Sequence, residues 1–248
     1  MRLVRMEEAE FSKLAATEDR MWYFRGLHAL VEWRLASAFP GATAEVLDCG
    51  CGTGGLIRRM AAVHPQWRWT GVDLSPLACT FARERTTARI CEGSAMALPF
   101  DSNRFDAVVL ADVLYHLDDD RKALGECHRV LRPGGCVVVN VPAHPWLWSY
   151  HDVAVHGRRR YRRAEVIEKL NAAGFTESKA THWNSLLLPM IVARRKLWPA
   201  PAGGSDVQSC SPAVEALGRA ALAIERSCLR AGGRFPFGSS IFASALRP

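Results

Sequence analysis

The stretch Glu45-Val46-Leu47-Asp48-Cys49-Gly50-Cys51-Gly52-Thr53-Gly54-Gly55 constrains this chain more than any other. A short apolar run ends in Asp48, and four glycines fall within six positions. Leu56-Ile57-Arg58-Arg59-Met60-Ala61-Ala62 then continues at helical spacing. The pattern predicts a buried strand, a tight turn and a helix start. Glycines suit such a turn because they accept positive φ and let a ligand approach bare backbone. The helix start adds free N–H groups and a partial positive charge, so a nucleotide-like ligand is expected. Spacing alone leaves two patterns open. Gly50, Gly52 and Gly55 fit the G-x-G-x-x-G of dinucleotide enzymes; Gly50, Gly52 and Gly54 after Asp48 fit D-x-G-x-G-x-G.

The rest of the chain narrows the choice. Residues 7–38 read as helical, with Met21-Trp22-Tyr23-Phe24 leading into Leu30, Val31 and Leu35 at 3.6 spacing. This segment forms either a lid over the ligand or a packed N-terminal helix. Trp67 to Asp73 reads as a second strand ending in an acid, 23 positions after Gly50. An acid there accepts hydrogen bonds from ribose hydroxyls in nucleotide-binding α/β folds. Ser75-Pro76 caps a helix to about Arg85. Arg89–Glu92, Phe105–Leu110 and Cys136–Val141 read as further strands, with a helix over Asp118–Val130 and a turn at Arg132-Pro133-Gly134-Gly135. Strands alternating with helices predict a parallel, doubly wound sheet with its ligands outside the strands' C-terminal ends.

Composition agrees with one large domain. The 248 residues are 49% hydrophobic, enough for a full core. No run approaches the roughly 18 apolar residues of a membrane span, and the mixed acidic and basic N-terminus is no secretory signal. A cytoplasmic protein is expected. Eight cysteines occur without a C-x-x-C or a tight Cys/His cluster, so free thiols and no metal are expected. The net charge of +7 concentrates in Arg158-Arg159-Arg160-Tyr161-Arg162-Arg163 and in Arg194-Arg195-Lys196. Such patches attract phosphate, carboxylate or nucleic acid, or simply form a solvated face.

The series Val46–Gly54, Gly71-Val72-Asp73-Leu74-Ser75, Leu98-Pro99-Phe100, Phe105-Asp106 with Tyr115-His116-Leu117, and Leu131-Arg132-Pro133-Gly134-Gly135 resembles the class I S-adenosylmethionine-dependent methyltransferases, in particular the group acting on small molecules and lipids. The resemblance spans residues 44–180. It implies a Rossmann-like fold with seven strands, the last antiparallel, in a single domain. Residues 1–40 would be an N-terminal helical lid, 41–184 the core, 185–237 a helical insertion and 238–248 the last strand. It also implies S-adenosyl-L-methionine as cofactor and S-adenosyl-L-homocysteine as product.

By the same resemblance, Gly50, Cys51, Gly52 and Gly54 cradle the methionine part while Asp48 holds its amino group. Asp73 takes the ribose hydroxyls and Leu74 packs on the adenine. The family usually has Gly-Asp-Ala where this chain has Gly93-Ser94-Ala95, so a neutral hydroxyl replaces the acid that faces the adenine amino group. Ala111 offers its carbonyl to the cofactor amino group, and Asp112 and Val113 line the same wall.

Methyl transfer needs alignment and exclusion of water more than acid catalysis. A base matters only for an acceptor that holds its proton at pH 7. His116, after the fourth strand, and His151, beside Asp152, are the candidate bases. The segment 142–161 gathers His144, Trp146, Trp148, Tyr150, His151, His156, Arg160 and Tyr161 as an acceptor pocket. The insertion reads as a helix Leu186–Trp198, a loop Pro199–Pro212 and a helix Ala213–Arg230. It would serve as a substrate cap, a dimer surface, an interfacial element on a membrane or a helix packed on the domain.

The expected activity is transfer of a methyl group to a small organic acceptor, acidic or lipid-linked. Nucleic-acid methylation, motivated by the arginines, and non-catalytic cofactor binding are the alternatives; the base-gripping Asn/Asp-Pro-Pro-Tyr motif of many nucleic-acid enzymes is missing after the fourth strand. The acceptor, the atom methylated and the oligomeric state are not legible at this stage.

Overall fold

A computed structural model describes residues 8–200, 205–208 and 210–248. Residues 1–7 of the expected N-terminal helical segment, and 201–204 and 209 of the expected loop 199–212, lie outside the described residues. The chain opens with α1 (Glu8–Thr17) and α2 (Trp22–Ala38), followed by β1 (Ala44–Cys49), α3 (Gly55–Val63), β2 (Trp67–Asp73), α4 (Pro76–Arg85), β3 (Arg89–Glu92) and β4 (Phe105–Ala111). It continues with α5 (Asp120–Val130), β5 (Leu131–Pro142), α6 (Tyr150–Ala154), α7 (Arg163–Ala172), β6 (Thr176–Trp183), α8 (Leu188–Leu197), α9 (Pro212–Arg230) and β7 (Ser240–Leu246).

The seven strands form one sheet in the order β3-β2-β1-β4-β5-β7-β6, and β7 runs antiparallel to both its neighbours. The chain builds outward in one direction through β1, β2 and β3 and in the other from β4, so its order switches between the parallel neighbours β1 and β4, the place where open α/β sheets bind ligands. The register brings Asp48 opposite Gly71 and Val109, and Ala111 opposite Asn140. The C-terminal ends of β1, β2, β4 and β5 therefore share one edge.

Side-chain alternation in the strands feeds two apolar layers. Leu47 and Cys49 face α5 and α7 through Leu124, Cys127, Val166 and Leu170. Val46 faces α2, α3 and α9 through Leu30, Val31, Ile57 and Leu222. Each fully buried aliphatic side chain of this kind contributes about 1.5–3 kcal/mol.

Two expectations change in detail. The single N-terminal helix is two, parted at residues 18–21, where Met21 is extended at ψ 126°. No side chain of its own caps α2; instead the backbone N–H of Trp22 donates to Glu215 Oε2 at 2.8 Å, from α9. The turn expected at Arg132–Gly135 is an irregularity inside β5, which begins at Leu131. Gly134 there sits at φ +79°, and its N–H donates to the Arg247 carbonyl at 2.9 Å.

The insertion is integrated with the rest. Gly218 of α9 lies under Trp22, where a Cβ would come within 2.4 Å of the indole, and Gly26 of α2 lies as closely under Leu222. Glu225 of α9, 1% exposed, accepts from the N–H groups of Ser185 and Leu186, each at 2.7 Å, just ahead of α8. No helix is long and apolar enough to cross a membrane among the described residues.

Candidate active site

A cavity of about 560 Å³ lies over the C-terminal ends of β1, β2 and β4, in the size range of small-molecule sites. Its floor is the glycine turn. The N–H groups of Gly50 and Cys51 donate to the Val72 carbonyl at 2.7 and 3.0 Å, folding the turn back over β2. Gly50 stands at φ +82°, and a Cβ there would sit 2.4 Å from Val113 Cγ2, so this position requires glycine twice over. The Gly52 N–H donates to Asp73 Oδ2 at 2.9 Å, and the Ser75 N–H to Asp73 Oδ1 at 2.9 Å. Burial pushes the Asp73 carboxyl up while these backbone donors pull it down.

Asp48 is 2% exposed. Burial, then the neighbouring Asp73 and Glu18, raise its pKa to about 8. All three causes act in the same direction, which is what a wall facing a cationic ligand looks like before the ligand arrives.

The roof comes from the N-terminal helices. Glu18, at the end of α1, accepts from the Thr53 hydroxyl and from Arg85 Nη1. Arg85 also donates to the Thr53 carbonyl at 3.0 Å and to Asp19 Oδ2 at 2.7 Å. α1 is thus tied directly to the glycine turn. Tyr23 of α2 donates to Asp112 Oδ2 at 2.9 Å, and Asn140 Nδ2 donates to Asp112 Oδ1 at 2.7 Å. Trp183 Nε1 donates to Asn140 Oδ1 at 2.7 Å and stacks on Tyr23 at 5.3 Å. Burial raises Asp112 to about 6 against the pull of these donors.

The far wall holds the histidines. His116 Nδ1 lies 3.4 Å from the His156 carbonyl, which places the proton on Nδ1 and leaves a lone pair on Nε2. His151 is the opposite tautomer: its Nδ1 accepts from the Asp206 N–H at 3.1 Å, so Nε2 carries the proton. Burial lowers both to about 4, so both rings are neutral at pH 7. Asp152 does not pair with His151. It accepts from Arg160 Nε at 2.7 Å and from the Ser149 N–H at 2.9 Å.

A family model described as a methyltransferase domain matches residues 47–139. Over 137 residues the chain is 35% identical to a demethylmenaquinone methyltransferase of Thermus thermophilus, covering 52% of this chain and 62% of that one, under two thirds of the relative's length. Over 162 residues it is 31% identical to the enzyme of the same name from Lactiplantibacillus plantarum, covering 58% of this chain and 68% of that one. The chain belongs to the S-adenosylmethionine-dependent methyltransferases. Its fold matches phosphoethanolamine N-methyltransferase 2 of Haemonchus contortus, solved with S-adenosyl-L-methionine, at TM-score 0.56 and 19% identity over 82% of this chain and 48% of that one.

The site of this methyltransferase fits the family's cofactor, S-adenosyl-L-methionine. The ligand carries an ammonium and a sulfonium, and the donor end of the cavity presents Asp48, Asp73 and Glu18 over a backbone cradle that a single Cβ at Gly50 would fill. Asp48, Gly50, Cys51, Gly52, Asp73, Leu74, Ser94, Ala95, Ala111, Asp112 and Val113 all line the cavity, as do His116 and His151.

Gly54 is outside the cavity lining. It backs onto α4, where a Cβ would lie 3.1 Å from Ala82 Cα, and its φ of +82° shapes the turn from behind. The Ser94 hydroxyl accepts from the Met96 N–H at 3.2 Å, bracing its own turn.

Sequence reasoning missed Glu18 and Asp206 in the lining and Asn140 behind it, and it named Tyr23 and Arg195 only as members of the aromatic stretch and the second basic cluster. Of the three it missed, only Asn140 left a signal, a lone amide in the apolar run Cys136-Val137-Val138-Val139-Asn140-Val141. Three of the five arginines in the run 158–163 are paired within the chain, and Arg162 and Arg163 are exposed. Arg158 pairs with Asp118, Arg159 with Asp120 at 3.4 Å and Arg160 with Asp152, while Tyr161 donates to Asp120 at 2.8 Å.

Proposed function

We propose that this protein moves a methyl group from S-adenosyl-L-methionine to a small organic acceptor with an apolar body, acidic or lipid-linked, as its likeness to demethylmenaquinone methyltransferases supports. One observation carries the reading: a cavity has a carboxylate-rich donor end over the glycine turn and, opposite, a wall built from α8 and from His151, Val155, His156 and Arg160, while His144, Trp146, Trp148, Tyr150 and Tyr161 of the expected acceptor pocket lie outside the lining.

In this reading Asp48 holds the ammonium of the cofactor, Asp73 its ribose hydroxyls, and the backbone of Gly50–Gly52 its methionine part. Leu74, Ser94 and Ala95 enclose the adenine, with Ala111, Asp112 and Val113 as the adjoining wall and Gly54 setting the turn's shape. The bound cofactor supplies a methyl group activated by a sulfonium. The chain's work is to align the acceptor and keep water out, through α1, Met21–Phe24 and the apolar side chains Met190 and Ile191. For an acceptor that arrives protonated, the Nε2 lone pair of His116 is the proton acceptor, while His151, with its proton on Nε2, serves as a donor.

Calorimetry with S-adenosylhomocysteine, followed by transfer from methyl-labelled S-adenosylmethionine to reduced naphthoquinones with and without a carboxylate, tests the reading. Micromolar binding of the first and label in the organic extract of the second are expected. No binding of S-adenosylhomocysteine would sink it.

A further inference from the structure

The wall opposite the glycine turn keeps hydrogen-bond donors that the fold does not use. Arg160, 5% exposed, spends Nε on Asp152 and Nη1 on the Ala143 carbonyl at 2.9 Å. Arg195 spends Nε and Nη2 on Asp206 Oδ2, both at 2.8 Å. A guanidinium offers five N–H donors, so each keeps some. His151, fixed by the Asp206 N–H, keeps its Nε2–H. Tyr115 is buried, and no partner for its hydroxyl occurs among the described residues.

These four side chains lie on one wall, linked through shared partners and close enough for their charges to act on one another. His151 and Arg195 meet on Asp206. Arg160 holds Asp152, whose carbonyl and the Tyr115 ring both crowd Gly157, at 3.1 and 3.0 Å from where a Cβ would stand. All four line the cavity, and none of their unpaired atoms is enclosed by protein. Arg194, on the same wall, has no carboxylate partner among the described residues; its guanidinium lies over the Tyr150 ring at 5.4 Å and donates to the Pro199 carbonyl at 2.9 Å. Arg160 and Arg195 are each balanced by one aspartate, and the third guanidinium, Arg194, faces the same cavity as Asp112, which is held by the neutral Tyr23 and Asn140. Met190 and Ile191 of α8 supply apolar surface at this end of the cavity.

Spare N–H and O–H donors of guanidinium, imidazole and phenol groups gathered on a half-buried wall recognise an anionic oxygen, and a planar guanidinium suits carboxylate or phosphate. We propose that Tyr115, His151, Arg160 and Arg195 form an anion-recognition site for the methyl acceptor, which therefore carries a carboxylate or phosphate on an apolar body. The proposal rests on the methyltransferase reading and adds the acceptor's charge class. The cavity is bipolar: carboxylates hold the donor and guanidiniums hold the acceptor.

The test uses the full chain. S-adenosylhomocysteine is titrated first, and its binding reports on the methyltransferase reading alone. With or without it bound, 2-naphthoate, 2-naphthyl phosphate and neutral 2-naphthol are then titrated as probes at low ionic strength. At least one anionic probe is expected to bind tenfold or more tightly than naphthol, and the tighter of the two identifies the anion. Arg195→Gln should remove that advantage, Arg195→Lys should keep part of it, and Tyr115→Phe should reduce it severalfold, with S-adenosylhomocysteine affinity unchanged in all three. Equal binding of the three probes, failure of both anions to bind, or an advantage that survives both Arg195→Gln and Tyr115→Phe overturns the proposal. If S-adenosylhomocysteine binds and the anions gain nothing, the methyltransferase reading stands and this one falls.

Discussion

Asp48 is the residue on which the donor end turns. A carboxyl that titrates near 8 in the fold and about 4 in the unfolded chain binds more protons folded than unfolded across that window. The stability of the ligand-free protein therefore falls as pH rises from about 4 to about 8. Asp48→Asn removes this penalty. Its melting temperature should exceed the wild type's at pH 8, by roughly 2–4 °C per kcal/mol recovered, and the two should converge near pH 4.

The opposite holds for ligand binding. An ammonium favours the ionised carboxylate, so wild-type affinity for S-adenosylhomocysteine should climb from pH 6 to pH 8, while Asp48→Asn should bind weakly and without that slope. Gly50→Ala meets both a left-handed backbone and Val113. The backbone alone costs about 1–2 kcal/mol, and a denaturant midpoint lower by more than that is expected.

These two residues were legible because their chemistry is local in sequence. Tyr23, Asn140 and Glu18 were not, because their partners lie up to 217 positions away. The lone amide in β5 hinted at a network but not at its members.

Among the elements, α1 is the one whose place on the fold depends most on charge. Arg85 ties both Glu18 and Asp19 to the glycine turn. A buried ion pair that loses one partner costs about 3–5 kcal/mol, more than a ten-residue helix on a roof can hold. Arg85→Ala should therefore release α1. Faster hydrogen exchange over residues 10–18 and faster dissociation of S-adenosylhomocysteine are expected, with exchange in β1, β4 and β5 unchanged. Exchange in α1 equal to the wild type's would mean that apolar packing alone docks it.

The strands of the core were readable from their apolar runs, and β2 and β3 have the ends that periodicity gives them. The break between α1 and α2 was not, because a backbone carboxylate bond from α9 starts α2 in place of a local cap.

At the scale of the whole molecule, ion pairs leave the net charge of +7 unchanged, since each removes one charge of either sign, but they take three arginines out of the basic run. Arg158, Arg159 and Arg160 are committed to Asp118, Asp120 and Asp152, while Arg162 and Arg163 stay exposed. A gel shift with structured RNA at about 50 mM salt should stay blank; a strongly salt-dependent shift would reopen the nucleic-acid reading. Sequence alone offered several uses for the insertion and favoured packing on the domain, but it could not name the partners, which lie at the other end of the chain.

Glu215 and Glu225, on one helix, hold the start of α2 and the approach to α8. The late insertion is therefore not a detachable module. Excising residues 185–237 would unfasten two parts of the site at once, because the roof over the glycine turn and the wall opposite it would lose their shared bracket together.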